Sequence, residues 1–183
     1  MDFYPNKETH LQELGKKLKE KVCQAGIDLR LEIAAEYYLD ENLFANIDDN
    51  HSDLLLISNK YLLFETPFFN KPVNLTEFVF KVNSFGILPL LAHPERYIYL
   101  NSDNDLVEEL IRMGTFFQMN LNSLGGYYGP EVKKFAEKLV NTGNVHLIGS
   151  DCHRLEQLKY FEKVMMSKSF RKVIDLPLRN SQL

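Results

Sequence analysis

Apolar residues follow two different rhythms along this chain. Leu11, Leu14, Leu18 and Val22 are spaced by three, four and four, one apolar stripe on a helix over residues 6–26. Asn6 can cap its start and Gly26 can sit just past its end. The period then drops to two. Leu29, Leu31, Ile33 and Ala35 alternate with Arg30, Glu32 and Ala34, predicting a strand over 29–35 that runs into Glu36-Tyr37-Tyr38. A short helix is expected near 40–46. Two apolar runs follow at 54–57 and 61–64, split by Ser58-Asn59-Lys60, with Asn59-Lys60 a candidate tight turn. The second run is the better strand, and Glu65 closes it.

Asn74 and Glu77 form a capping-box pattern ahead of Phe78, Val79 and Val82, predicting a helix that Gly86 ends. The alternation then repeats. Residues 87–92 read as a strand ending in His93, 106–113 as a helix ending at Gly114, and 115–119 as a strand ending in Asn120. Pro130 opens a helix over 130–140 at a favourable first-turn position. Residues 145–149 read as a strand ending in Ser150-Asp151-Cys152-His153, and 155–176 as helix in two pieces. Strands alternating with helices predict an α/β fold of βα units around a mainly parallel sheet. Without repeats or a linker, residues 1–183 are expected to form one domain.

Composition narrows the function classes. Twenty-five acidic and 21 basic side chains leave a net charge of −4, and 45% of residues are apolar. That excludes a disordered chain and a generally basic nucleic-acid surface. Cys23 and Cys152 cannot build a disulfide framework, which suits a reducing compartment. The start lacks a basic segment followed by an apolar one, so no signal peptide is visible. The longest charge-free run, 113–130, holds Gln118, Asn120, Asn122, four glycines and Pro130, which is wrong for a membrane span. A cytoplasmic protein with no membrane span is expected.

The polar residues that matter fall at strand ends: Glu36, Glu65, His93, Asn120, Asp151 and His153. In parallel α/β folds ligands bind at the carboxyl ends of strands, where residues distant in sequence meet. The bland alternative is that loops are simply polar. Asp151 and His153 are two apart, so an extended chain points them the same way, and carboxylate plus imidazole suits Mn, Fe or Zn. Cys152 would then face away. His93 is followed by Pro94, which favours a non-helical turn. Arg96 nearby can grip a phosphate through its planar fork. The competing view of that segment is an exposed loop in which Glu95 pairs with Arg96.

Other candidates carry less. His10 lies among polar neighbours of the first helix, His51 in an acidic loop, and His146 inside a strand as a packed side chain. Gly125-Gly126-Tyr127-Tyr128-Gly129 lacks the spacing of a phosphate or dinucleotide loop. No serine nucleophile elbow is present.

Four segments together carry a resemblance: Ala35-Glu36-Tyr37-Tyr38, Leu63-Phe64-Glu65-Thr66, Ala92-His93-Pro94-Glu95-Arg96-Tyr97 and Gly149-Ser150-Asp151-Cys152-His153. The chain resembles the PHP (polymerase and histidinol phosphatase) superfamily. Within it, the chain is most similar to bacterial PHP-type tyrosine phosphatases that work beside capsule or exopolysaccharide tyrosine kinases. The resemblance implies a distorted TIM-like βα barrel with a cluster of up to three divalent metals, Mn first, with Fe or Zn as alternatives. Carried over by position, Glu36, Glu65, His93, Asp151 and His153 would be metal ligands and Arg96 would contact the substrate phosphate. The implied reaction is hydrolysis of phosphotyrosine on a protein, a tyrosine kinase of polysaccharide synthesis being the expected partner.

The same resemblance implies an incomplete barrel of about five βα units. The first two units, on the order of 60 residues with three His ligands, would be missing, so the metal cluster could be incomplete. Arg154 is too close to Asp151 to take the role of the family's second arginine. Two other expectations stand beside the phosphatase. One is a catalytically inactive remnant that binds a kinase, with open strand edges driving homo-oligomerisation. The other is a PHP phosphatase for a small phosphate ester.

Overall fold

The computed structural model describes residues 8–183. Helix α1 spans Glu8–Gln24; its expected cap, Asn6, lies outside the described residues. Its stripe is barely covered. Gly15 is buried under the Ile33 side chain, which leaves no room for a Cβ, whereas Leu14 and Leu18 stay 47% and 49% exposed.

The strand expected over 29–35 does not form. The first strand, β1, is the three residues Glu36–Tyr38. Before it, the Ala35 N–H donates to the Leu55 carbonyl at 3.0 Å, and no ladder extends back along 29–34 among the described residues. Alternating apolar residues make a strand only where a neighbouring strand satisfies the backbone groups.

Helix α2, Glu41–Asn50, is capped by Asp40, whose side chain accepts from the Leu43 N–H. Strand β2 is Tyr61–Glu65. The run at 54–57 is not its equal: Ile57 alone bridges back to Tyr61. The turn centres on Ser58 and Asn59, with φ 50° and 53°, one residue earlier than expected. Two successive positive-φ residues are what a tight two-residue hairpin turn requires.

Helix α3, Leu75–Ser84, starts after Asn74 without the expected side-chain cap bond. Asn74 sits at φ −94°, ψ 11°, away from the extended geometry that aims a cap side chain at the first turn. Strand β3 (Leu88–Ala92), helices α4 (Ile98–Ser102) and α5 (Asn104–Arg112), and strand β4 (Phe116–Asn120) follow. Then come α6 (Leu121–Leu124), α7 (Pro130–Asn141), β5 (Leu147–Gly149), α8 (Leu155–Met165) and α9 (Lys168–Ile174). Ser167 separates the last two helices and caps α9.

The five strands form one parallel sheet in the order β1-β2-β3-β4-β5. Its register sorts side chains by face, since paired residues in adjacent strands share a face and successive residues alternate. Leu62, Phe64, Leu91, Phe117 and Met119 point to one face and meet the apolar sides of α3, α5 and α7 in the main core. Glu36, Leu63, Leu90, Gln118 and Leu147 share the other face, where a smaller core of Tyr61, Leu90 and Leu147 lies. Burying all-apolar strands on both faces is the usual condition of a parallel sheet.

The C-terminal segment finishes the edge at β5. The Asn180 carboxamide accepts from the Ile148 N–H and donates to the Ile148 carbonyl, both at 2.9 Å, as a strand neighbour would. Among the described residues no helix is long and apolar enough to cross a membrane.

Candidate active site

The second face of the sheet opens at its carboxyl end into a cavity of about 230 Å3. Glu36, His93 and Asp151 line it, above Leu63, Leu90 and Gln118. A larger hollow of about 450 Å3 lies beside the end of α1, around Val22, Ile27 and Leu29. It gathers no comparable set of donor atoms, so the chemistry belongs to the smaller one.

Three strands deliver the centre of the site. Ligand atoms of Glu36, Glu65 and His93 all lie within 4.8 Å of one another. The His93 Nε2 is 3.1 Å from Glu36 Oε1 and 3.4 Å from Glu65 Oε2. His93 is buried, and burial by itself lowers an imidazole pKa. The hydrogen bonds to the two carboxylates outweigh that and push it up to about 9. Two hard oxygen donors and an imidazole make a set that fits a divalent cation such as Mn, Fe or Zn.

His93 reaches this position through a strained turn. Its φ is 35°, and Pro94–Arg96 then form a single 3-10 turn. Glu95 braces that turn rather than pairing with Arg96. It is buried, and its Oε1 accepts from the Asn120 N–H at 3.0 Å and the Ser123 hydroxyl at 2.6 Å. Burial raises its pKa against those bonds. From the β2 side, the Thr66 N–H donates to the Tyr97 hydroxyl, and the Ile98 N–H to the Phe68 carbonyl. The loops after β2, β3 and β4 are therefore bonded to one another.

Asp151 forms a second group in the same cavity. Its Oδ2 accepts from Asn120 Nδ2 at 2.8 Å, from Arg96 at 3.3 Å and from the Tyr128 hydroxyl at 3.3 Å. Asp151 sits at φ 47°, so the chain is not extended there and simple alternation does not place His153. The two side chains still meet, His153 Nδ1 lying 3.2 Å from Asp151 Oδ1, but the His153 side chain is 75% exposed. Gln157 holds this loop by accepting from the N–H groups of His153 and Arg154.

The sequence-derived set is thus brought together in two steps. Glu36, Glu65 and His93 cluster tightly; Asp151, paired with Arg96, lines the same cavity as Glu36 and His93; His153 touches Asp151 but is mostly exposed. Asn120 is placed between them as a donor to Asp151. Three participants were missed: Glu95, whose charge suggested exposure, and Phe68 and Tyr128, two aromatic residues that flank Arg96. Their aromatic character alone gave no signal that separated them from core residues. Of the other histidines, His10 is exposed, and His51 stacks on Phe85 with centroids 4.1 Å apart. His146 precedes β5 rather than lying inside it, and its Nδ1 accepts from the Phe117 N–H.

A family model described as "Capsular polysaccharide synthesis, CpsB/CapC" matches residues 2–168. The chain belongs to the CpsB/CapC family. Among curated relatives of this CpsB/CapC chain, the tyrosine-protein phosphatase YwqE of Bacillus subtilis is 25% identical over 156 residues, covering 84% of this chain and 60% of the relative. The putative tyrosine-protein phosphatase CapC of Staphylococcus aureus is 26% identical over 161 residues, covering 86% and 63%. The chain therefore spans about three fifths of the length of these two relatives. A solved structure superposes with a TM-score of 0.76 at 25% identity, covering 97% of this chain and 76% of that one. It comes from work on YwqE and on CpsB of Streptococcus pneumoniae, described as unique metal-dependent tyrosine phosphatases. The five-stranded parallel α/β fold is shared with that structure.

Proposed function

We propose that this CpsB/CapC-family chain carries a metal-dependent protein-tyrosine phosphatase site. The observation that carries this reading is the convergence of Glu36, Glu65 and His93 from three adjacent strands, beside an arginine paired with Asp151. Glu36, Glu65 and His93 would hold a divalent cation, with Asp151 and His153 as further ligands. Manganese is our first choice, ahead of iron and zinc. What such a cation supplies, once bound, is a lowered pKa for water and neutralised charge on phosphoryl oxygens.

The chain's own residues then have separate tasks. Arg96 binds the phosphate through its planar donors. Asp151 holds Arg96, and Asn120 and Tyr128 hold Asp151. Glu95 fixes the turn that presents both His93 and Arg96. The sheet with helices on one face is read as the wall of a distorted TIM-like PHP barrel, and residues 1–183 as one PHP-type domain. The substrate would be phosphotyrosine on a protein, with a cytoplasmic tyrosine kinase of polysaccharide synthesis as the partner.

The test compares phosphate release from a phosphotyrosine peptide and from histidinol phosphate by protein incubated with Mn2+, with bound metal measured alongside. Bound manganese and faster release from the peptide are expected. A protein that binds no metal and releases no phosphate would overturn the proposal, and faster release from histidinol phosphate would move it to a small phosphate ester.

A further inference from the structure

The glycine-rich stretch 125–129 stands outside the metal-ligand set, yet it delivers a side chain to the site. Gly126 and Gly129 sit at φ 81° and 100°, where a residue with a Cβ is strained. Between these two bends Tyr127 and Tyr128 lie edge-on to each other at 89°. Tyr127 packs edge-on against Tyr160 of α8, with centroids 4.9 Å apart, which anchors the loop. Tyr128 is turned toward Arg96 and Asp151. Its ring lies 4.6 Å from the guanidinium carbon of Arg96, and its hydroxyl donates to the same Asp151 oxygen that Arg96 bonds.

Phe68 supplies the second ring, 4.5 Å from the same guanidinium carbon. Phe68 is fixed from behind, since it stacks on buried Tyr97, which in turn stacks on Tyr99. Arg96 is thus flanked by two anchored rings and tied at one nitrogen to Asp151. Arginine favours aromatic faces through cation–π attraction. A long side chain ordered before its ligand arrives also loses less freedom on binding.

We infer that Phe68 and Tyr128 form an aromatic clamp that preorganises Arg96 for a phosphate dianion, with Tyr128 of the glycine-rich loop as the principal positioning residue. This rests on the phosphatase reading for its substrate, but the clamp itself is defined by anion binding. The Tyr128 ring acts through Arg96, so the ring's contribution vanishes when Arg96 is gone, whereas the hydroxyl bonds Asp151 directly.

The experiment is a double-mutant cycle on the Mn2+-treated protein, with inorganic phosphate as the titrated ligand and hydrolysis of a phosphotyrosine peptide as a separate readout. Tyr128→Leu is expected to weaken phosphate binding about tenfold, and Tyr128→Phe, which keeps the ring, by less than about threefold. In an Arg96→Ala background, Tyr128→Leu should add nothing beyond the effect of Tyr128→Phe. Phe68→Leu provides a second variant should Tyr128→Leu fail to fold, with the same expectation. Unchanged phosphate affinity in Tyr128→Leu, or an effect that adds in full to Arg96→Ala, would overturn the clamp. So would a parent protein with no affinity for phosphate. Phosphate binding that obeys the cycle without peptide hydrolysis would leave the clamp standing and remove the phosphatase reading.

Discussion

His93 and Asp151 lie at the ends of different strands, yet both are held at positive φ, 35° and 47°. Residues other than glycine rarely adopt that conformation, and where they do the surroundings must enforce it. For His93 the enforcement comes from Glu95 and from its own N–H, which donates to the Gln118 carbonyl at 2.7 Å. For Asp151 it comes from the three donors on one carboxylate oxygen. The two turns place one ring and one carboxylate in the same cavity.

The metal reading makes the first prediction. Glu36→Gln should lower manganese affinity by at least about tenfold, since a carboxamide is a weaker ligand than a carboxylate. His93→Ala should do the same. Titration followed by electron paramagnetic resonance of free Mn2+ measures it. Parent-like affinity in both variants would place the metal elsewhere.

Glu95 separates a brace from a charge. Glu95→Ala leaves the Asn120 N–H and the Ser123 hydroxyl without their buried acceptor, and should cost about 2 kcal/mol of stability. Glu95→Gln keeps an acceptor oxygen and removes a buried carboxyl, so it should stay within about 1 kcal/mol of the parent. Urea unfolding of both variants tests this. Equal losses would show that the charge itself is needed.

Gly149 is a packing prediction. A Cβ there would run into the Gln118 carboxamide, which donates to Asn120 Oδ1. The carboxamide is the end of a flexible side chain beside the cavity and can swing aside, so Gly149→Ala should cost less than about 1 kcal/mol of stability. It should also loosen Asn120 from Asp151. Thermal unfolding reports the first effect and phosphate affinity the second.

His146 gives a pH dependence. Burial first, and then the Arg179 charge, lower its pKa below the ordinary 6.5. The structural reason is consistent: its Nδ1 accepts from the Phe117 N–H, which a protonated ring cannot do. The unfolded chain takes up this proton near pH 6.5, before the folded protein does. The contribution of His146 is therefore complete above that pH and falls as the pH drops below it. His146→Asn should flatten this part of the stability profile between about pH 7 and 5. A variant profile parallel to the parent's would show that His146 is not the group responsible.

Much of this was legible in the chain itself. The strands at Tyr61–Glu65, Leu88–Ala92 and Phe116–Asn120 and the helices between them follow from apolar runs bounded by glycine, proline and asparagine. These signals are local, so the sequence carries them. The chemistry-bearing residues were legible for the same reason, because a parallel sheet puts its strand ends together.

What the sequence could not decide depended on partners far along the chain. The alternation over 29–35 looked like a strand, but among the described residues no strand pairs with it, and only Glu36–Tyr38 joins the sheet. Glu95 looked like a surface charge until Ser123 and the Asn120 backbone, more than twenty residues away, supplied its buried donors. Tyr128 was one aromatic among many until the turn at Gly126–Gly129 brought it to Arg96. Periodicity and punctuation are encoded within a few residues, and they determined the elements and the candidate ligands. Hydrogen-bond satisfaction and aromatic contact are set by residues brought together only on folding, and so the tertiary structure alone decided which side chains brace the site.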